Sequence, residues 1–109
     1  MKTELENTEN PALNKPVVMH RAGEEIGIKD ANGNDIFVGS VIQHNENLYV
    51  IKWSKQQKQF VARKEPLKGQ QASWRDFKWI ENLANKNYIK MIGTVLFDEA
   101  MALRFKGVY

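Results

Sequence analysis

Short apolar runs alternate with polar turns through the first two thirds of the chain. Asn32 and Gly33 stand between Ile28 and an apolar run at residues 36–38. Asn-Gly supplies the two positive-φ residues of a type I′ hairpin turn. Further strands are predicted at residues 41–43, 48–53 and 60–62, separated by the polar stretches 44–47 and 54–58. Successive hairpins of this kind form an antiparallel meander.

The strand predicted at residues 48–53 is largely apolar on both faces. Period-two alternation places one set of side chains on each face: Tyr49, Ile51 and Trp53 on the first, and Leu48, Val50 and Lys52 on the second. Such a strand is typical of a sheet that is covered on both sides or curled into a small barrel. We therefore predict a mainly β fold, either a small curled antiparallel sheet or an SH3-like barrel.

Helical spacing replaces this alternation after Gly69. Apolar residues recur three or four positions apart at Trp74, Phe77, Ile80 and Ala84, with Leu83 on the same arc. This spacing predicts a helix over residues 73–84 with Ser73 as its N-cap. Residues 88–97 are typical of a further strand, and Asp98 can cap a short C-terminal helix.

Length and composition favour a single soluble domain. The chain has 109 residues and 12.6 kDa, of which 42% are hydrophobic and 27% charged, so there is little room for a second core. Residues 1–15 are polar and lack periodic apolar positions, which predicts a flexible N-terminal tail. Order is expected to begin at the strand-like run 17–19, and the folded domain to span residues 16–109.

Several protein classes are disfavoured by what the sequence lacks. There is no cysteine, which excludes disulfides and thiolate chemistry. No apolar run is long enough for a membrane helix, and residues 1–14 carry neither a secretory signal nor a lipidation motif. We expect a cytoplasmic protein without a membrane partner.

Three blocks of turn and strand residues match the pattern of one protein family. They are GIKDANGNDIFVGSVI at residues 27–42, LYVIKW at 48–53 and MIGTV at 91–95. Together they resemble the YopX proteins of bacteriophages and prophages over roughly residues 27–97. The resemblance implies a phage-associated, mostly β protein with a YopX-like domain, located in the cytoplasm of a bacterial host cell, and it implies no particular chemistry.

The chain departs from the YopX pattern at two polar positions. It has Ser40 where the family has aspartate after a glycine, and Thr94 where the family has asparagine after Ile-Gly. Because both are short polar side chains beside a glycine, we interpret them as residues that hydrogen-bond the local backbone at a bend.

No motif supports catalysis. Residues 30–35 resemble the start of a calcium loop, which needs glycine at its sixth position and a carboxylate at its twelfth, where this chain has Asp35 and Val41. His20 and His44 are the only histidines, and they lack metal-ligand spacing. The chain has no nucleophile elbow, P-loop or dinucleotide fingerprint. We expect no enzyme activity, no cofactor and no metal site.

Charge is unevenly distributed along the chain. Residues 1–50 carry four cations and eight anions, whereas residues 51–109 carry twelve cations and five anions. Within residues 52–82, Lys and Arg alternate with Trp and Phe. Cations neutralise phosphates and flat rings stack on bases, so this composition suits single-stranded nucleic acid. The periodicity assigns Trp53, Phe60, Trp74 and Phe77 to the core.

Trp79 is the aromatic residue that the helical periodicity leaves outside the core. On a helical wheel it lies opposite Phe77 and beside cationic and amide side chains. Packing of Trp79 under a loop remains an alternative. We predict a binding surface composed of this helix face and the polar turn at residues 54–58: Lys55, Lys58, Arg75, Lys78, Trp79 and Asn82.

These residues favour a non-enzymatic accessory protein that acts by binding. One hypothesis is contact with nucleic acid or a nucleoprotein through the basic-aromatic face. The alternative is a protein–protein inhibitor or modulator of a host bacterial complex such as a defence nuclease, because aromatic and arginine residues also anchor protein interfaces. Edge strands of a short sheet also favour pairing between copies, so a homo-oligomer is a further hypothesis.

Overall fold

A computed structural model describes residues 21–109 of the chain. The predicted tail at 1–15 and the predicted run at 17–19 lie outside the described residues. The described part forms seven strands and two short helices. In chain order they are β1 (Glu25–Lys29), β2 (Asp35–Phe37), β3 (Ser40–His44), β4 (Asn47–Ser54), β5 (Gln59–Lys64), β6 (Trp74–Arg75), α1 (Phe77–Asn85), β7 (Lys90–Thr94) and α2 (Glu99–Arg104).

The strands form two antiparallel sheets, which confirms the mainly β prediction. β1 pairs with β2, and the other five strands form a sheet in the order β6-β5-β4-β3-β7. Because the outer strands β6 and β7 do not pair with each other, the sheet is not a closed barrel, and the curled-sheet alternative is the one that holds. The meander predicted for β3, β4 and β5 is confirmed by the register, with Val41 opposite Val50 and Lys52 opposite Val61.

Two apolar clusters cover the two faces of the central strand β4. On one face, Tyr49 and Ile51 pack in a cluster with Ile80 of α1. On the other, Leu48 and Val50 pack with Phe105, which caps the C-terminus of α2. The prediction that β4 is covered on both sides is therefore confirmed.

A glycine turns the chain from the small sheet into the large one. Gly39 has φ +104, and its N–H donates to the Ile51 carbonyl oxygen at 2.8 Å. A Cβ atom at Gly39 would lie 2.7 Å from Cγ of Leu96. The left-handed backbone and the close approach of Leu96 both require glycine here.

The first hairpin is closed by Asp30 rather than by a type I′ turn. Gly33 has φ +82, but Asn32 is not among the described residues with positive φ. The Gly33 N–H donates to the Asp30 carbonyl at 3.0 Å, and the Asp30 N–H donates to the Asn34 carbonyl at 2.9 Å. This is a three-residue loop with a left-handed glycine, so the hairpin is confirmed and the turn type is wrong. The Asp30 side chain decides the geometry, because its Oδ1 accepts the N–H groups of Asn32 at 3.0 Å and Asn34 at 2.8 Å.

The main helix begins four residues later than the spacing predicted, at Phe77 instead of Ser73. Residues 74 and 75 pair with β5 as the edge strand β6, with Trp74 opposite Arg63. Asp76 is the actual N-cap, and its carboxylate accepts the Trp79 N–H at 2.9 Å. Sheet pairing prevailed over helical spacing here, so Trp74 is 43% exposed instead of lying in the core.

The C-terminal part follows the prediction more closely. Asp98 caps α2 by accepting the N–H of Ala100 at 3.0 Å and of Met101 at 3.3 Å. The strand expected at residues 88–97 is present but shorter, at Lys90–Thr94. Neither helix in the described part of the chain is long and apolar enough to cross a membrane.

Ser40 and Thr94 have the structural roles inferred for them. Ser40 is fully buried, and its Oγ accepts the Phe37 N–H at 2.9 Å. The Thr94 hydroxyl donates to the Gly39 carbonyl at 3.0 Å and accepts the Leu96 N–H at 3.0 Å. Both hydroxyls therefore stabilise the bend around Gly39.

Candidate functional site

The structure does not gather the six predicted contact residues at one place. Lys55 and Lys58 are exposed in the turn between β4 and β5. Arg75 ends β6, while the other three residues lie on α1: Lys78, Trp79 and Asn82. Lys78 and Asn82 are exposed, and the Arg75 guanidinium carbon lies 5.7 Å from the centre of the Trp79 ring.

Trp79 packs against the core, which corrects the expectation of a free ring opposite Phe77. Its ring lies 5.0 Å from that of Tyr49 and 5.6 Å from that of His44, measured between centroids. Both Trp79 and Phe77 are half-buried against the same apolar cluster. On a helix they are about 160° apart, so they form the two margins of one broad buried arc centred between them.

Trp74 is the exposed tryptophan, and it borders an open groove of about 330 Å³. The groove lies where β4 and β5 approach their connecting turn. Its lining combines cationic, amide, hydroxyl and aromatic side chains around Val61: Lys52, Trp53, Ser54, Lys55, Gln56, Gln57, Val61, Arg63 and Trp74. We call Lys52, Lys55, Arg63 and Trp74 the basic groove.

The sheet register brings the key side chains of the basic groove to one face. Arg63 is the cross-strand partner of both Val50 and Trp74, and cross-strand partners point to the same side of a sheet. Lys52 follows Val50 by two positions on β4 and therefore shares that face. This is the face opposite α1, so Trp79 is on the other side of the sheet.

Two cations in the groove have no acidic partner among the residues that the structure describes. Burial lowers the pKa of Lys52, and the positive charge of Arg63 lowers it further. The Lys52 ammonium donates to the Val108 carbonyl at 3.3 Å, and the Nε of Arg63 is buried with no hydrogen-bond partner in the described part of the chain. Like charges held together in a half-buried site repel each other, so this arrangement costs stability in the unliganded protein.

The acidic residues closest in sequence to these cations are already engaged. Only Glu65 and Asp76 are acidic within residues 52–78. Glu65 accepts two hydrogen bonds from the Arg104 guanidinium, at 2.6 and 3.2 Å. Asp76 caps α1. Neither carboxylate forms an ion pair with Lys52 or Arg63.

Two neighbouring cations with no acidic partner in the described part of the chain, beside an exposed indole, are suited to an anion that carries a flat ring. The ammonium and guanidinium can donate charge-assisted hydrogen bonds to phosphate oxygens. The indole offers a surface for stacking and an N–H donor. In the described residues no group of three or more histidine or carboxylate side chains is arranged to hold a metal ion.

Comparison with protein families identifies the scaffold that carries this groove. The family model of the YopX protein matches residues 2–95. The chain belongs to the YopX protein family. Comparisons with curated proteins and with solved structures gave no significant match. The YopX match confirms the family resemblance and supports a phage-type protein.

Most of the YopX motif residues build the scaffold, whereas Lys52 and Trp53 of the block at residues 48–53 line the groove. Asp30 and Gly33 close the first hairpin, and Ser40 and Thr94 hold the bend at Gly39. In this YopX chain the groove is formed by β4, β5 and β6, toward the edge of the large sheet that is opposite β7.

Sequence reasoning included Lys55 in the site but missed Lys52, Arg63 and Trp74. The alternation of side chains along the predicted strands could have identified two of them, Lys52 and Arg63. Given a hairpin turn at residues 55–58, alternation along both strands places Lys52 and Arg63 on the same face. Trp74 could not be found in this way, because its helical spacing concealed an edge strand.

Proposed function

We propose that this YopX-family chain is a non-enzymatic, phage-type accessory protein that binds nucleic acid through the basic groove. The observation that carries the proposal is that Lys52 and Arg63 lie near each other and that neither has an acidic partner in the described residues. Phosphate is the anion that a nucleic acid presents at every step, and cations that neutralise it supply most of the non-specific affinity.

The other predicted contact residues extend this surface unequally. Lys55 lines the groove itself, and Lys58 lies in the same turn. We propose that these two lysines contact the phosphates next to the one held by Lys52 and Arg63. Arg75 follows Trp74 in β6, but its side chain stacks on Trp79 on the α1 side of the sheet. The Arg75 side chain is therefore not part of the groove lining.

The test is oligonucleotide binding by variants in which the cations become apolar chains of similar length. Lys52→Met and Arg63→Met, made together, should weaken binding of a fluorescent 12-nucleotide single strand at least tenfold at low salt. The slope of log affinity against log salt should fall by about 0.7, the value for one phosphate contact on a single strand. The measurement is fluorescence anisotropy over a salt titration.

Stability measurements separate a binding role from a structural role. If Lys52 and Arg63 are present for a ligand, the double Met variant should be as stable as the wild type or more stable, because the repulsion between two half-buried cations is removed. Lys90→Gln, an exposed lysine on β7 at the opposite edge, is the matched control and should leave binding unchanged. No binding by the wild type at low salt, or equal binding by the double variant, would reject the proposal.

Binding to a host protein complex is a distinguishable outcome. A protein partner would be captured from host lysate after nuclease treatment, and its capture would be lost in the double Met variant. That result, without oligonucleotide binding by the purified protein, would replace nucleic acid with an acidic protein surface as the ligand of the groove.

A further inference from the structure

Trp74 is an exposed aromatic residue in direct register with a cation. It is the cross-strand partner of Arg63, and directly opposed residues have Cβ atoms about 4.5–5.5 Å apart. The other tryptophans, Trp53 and Trp79, are half-buried and in contact with other rings. Trp74 is the tryptophan of the described residues that a ligand in the groove reaches most readily.

We infer that the basic groove holds one nucleotide unit of a single strand, with the phosphate on Lys52 and Arg63 and the base stacked on Trp74. This inference rests on the proposed function and specifies its ligand. In a nucleotide one sugar joins the phosphate to the base, and in the groove a cation and a ring are likewise adjacent. The combination of charged groove and stacking ring is the one that proteins use for single strands.

The size of the groove agrees with a single unit. Its volume of about 330 Å³ lies at the lower end of the range of about 300–1,000 Å³ typical of small-molecule pockets. One exposed indole provides one stacking surface, so each protein contacts one base at this site. Because every base has an aromatic face, the site should tolerate different bases.

A duplex does not satisfy the same site. Its bases are stacked and paired inside the helix, and only its phosphates are presented to a shallow groove. A duplex could therefore contact Lys52 and Arg63 but would leave Trp74 without a stacking partner. The inferred ligand is a single strand or an unpaired end.

The experiment compares three probes of equal length with the full chain at one low salt concentration. They are a 12-nucleotide thymidine strand, an abasic strand with the same phosphates, and a 12-base-pair duplex. The thymidine strand should bind at least fivefold more tightly than the abasic strand, and it should quench tryptophan fluorescence. Trp74→Leu should reduce its affinity to that of the abasic strand and remove the quenching.

The controls keep this test separate from the test of the proposed function. Tyr88→Leu removes another exposed aromatic residue, 59% exposed, just before β7, and should bind the thymidine strand like the wild type. Thermal melting confirms that both variants fold. Equal affinity for the thymidine and abasic strands, or normal binding by Trp74→Leu, overturns the stacking inference while nucleic-acid binding stands. Absence of binding to all three probes overturns both.

Discussion

Replacing Asp30 with asparagine should destabilise the domain severely although the two side chains have almost the same shape. Asp30 is only 4% exposed, and its carboxylate accepts three backbone N–H groups. Two come from its own hairpin loop, at Asn32 and Asn34, and the third comes from Met91 of β7 at 2.9 Å. This one side chain therefore connects the small sheet to the edge of the large sheet.

The magnitude follows from the atoms involved. In Asp30→Asn the remaining oxygen can still accept from the loop, but the new NH2 group faces the Met91 N–H, and two donors cannot bond. One charge-assisted hydrogen bond is lost, worth about 1.5–3 kcal/mol, and a buried donor is left unsatisfied at a further cost of about 1–3 kcal/mol. The total of about 2.5–6 kcal/mol is a large fraction of the about 5–15 kcal/mol by which an ordinary domain is stable.

Urea denaturation of the wild type and two variants measures this loss. With a denaturant slope of about 1–3 kcal/mol per molar, the midpoint of Asp30→Asn should fall by at least about 1 M. Asp35→Asn is the matched control in the same hairpin. Asp35 pairs with Lys29 at 2.7 Å, but both side chains are about half exposed, so we expect no resolvable shift.

The acid dependence provides an independent check. Burial by itself would raise the pKa of Asp30, but the N–H groups of Met91, Asn34 and Asn32 lower it below its ordinary value. A lowered folded-state pKa means that the ionised carboxylate stabilises the fold above the unfolded pKa, and this contribution is lost as pH falls from about 4 through the folded pKa. The difference in the free energy of unfolding between the wild type and Asp30→Asn should therefore decrease as the pH falls through that range. The reasoning would be refuted if the urea midpoint of Asp30→Asn shifted no more than that of Asp35→Asn. It would also be refuted if the stability difference between the wild type and Asp30→Asn did not depend on pH.

Three further predictions concern other parts of the structure. Gly39→Ala should be destabilising, because the strained backbone and the overlap with Leu96 each cost about 1–3 kcal/mol, and thermal melting measures the loss. Asp76→Ala should cost about 0.5–2 kcal/mol through loss of the N-cap of α1, measured by urea denaturation. Because burial and the charge of Arg63 lower the pKa of Lys52, oligonucleotide affinity should fall as pH rises through that pKa, and Lys52→Met should not show this fall in anisotropy titrations.

Part of the candidate site was predictable, and part was not. The basic-aromatic stretch was visible in the composition of residues 52–82, and Lys55 was assigned to the site. Trp79 was chosen over Trp74 because a helical wheel assumes that only one narrow stripe of a helix is buried. Here Tyr49 and His44 meet Trp79 at the margin of the buried arc, so the ring that sequence periodicity left outside is half-buried.

The local pattern alone determined the mainly β class, the meander of β3, β4 and β5, the double-sided burial of β4, and the cap of α2 by Asp98. These features depend on neighbours in sequence, whose alternation and capping chemistry act over a few residues. Tertiary pairing decided the rest. Whether residues 74 and 75 extend a helix or a sheet depends on β5, which is more than ten positions away along the chain and provides hydrogen bonds that no local pattern encodes. That pairing exposes Trp74 and brings it beside Arg63, and so it determines where the groove lies.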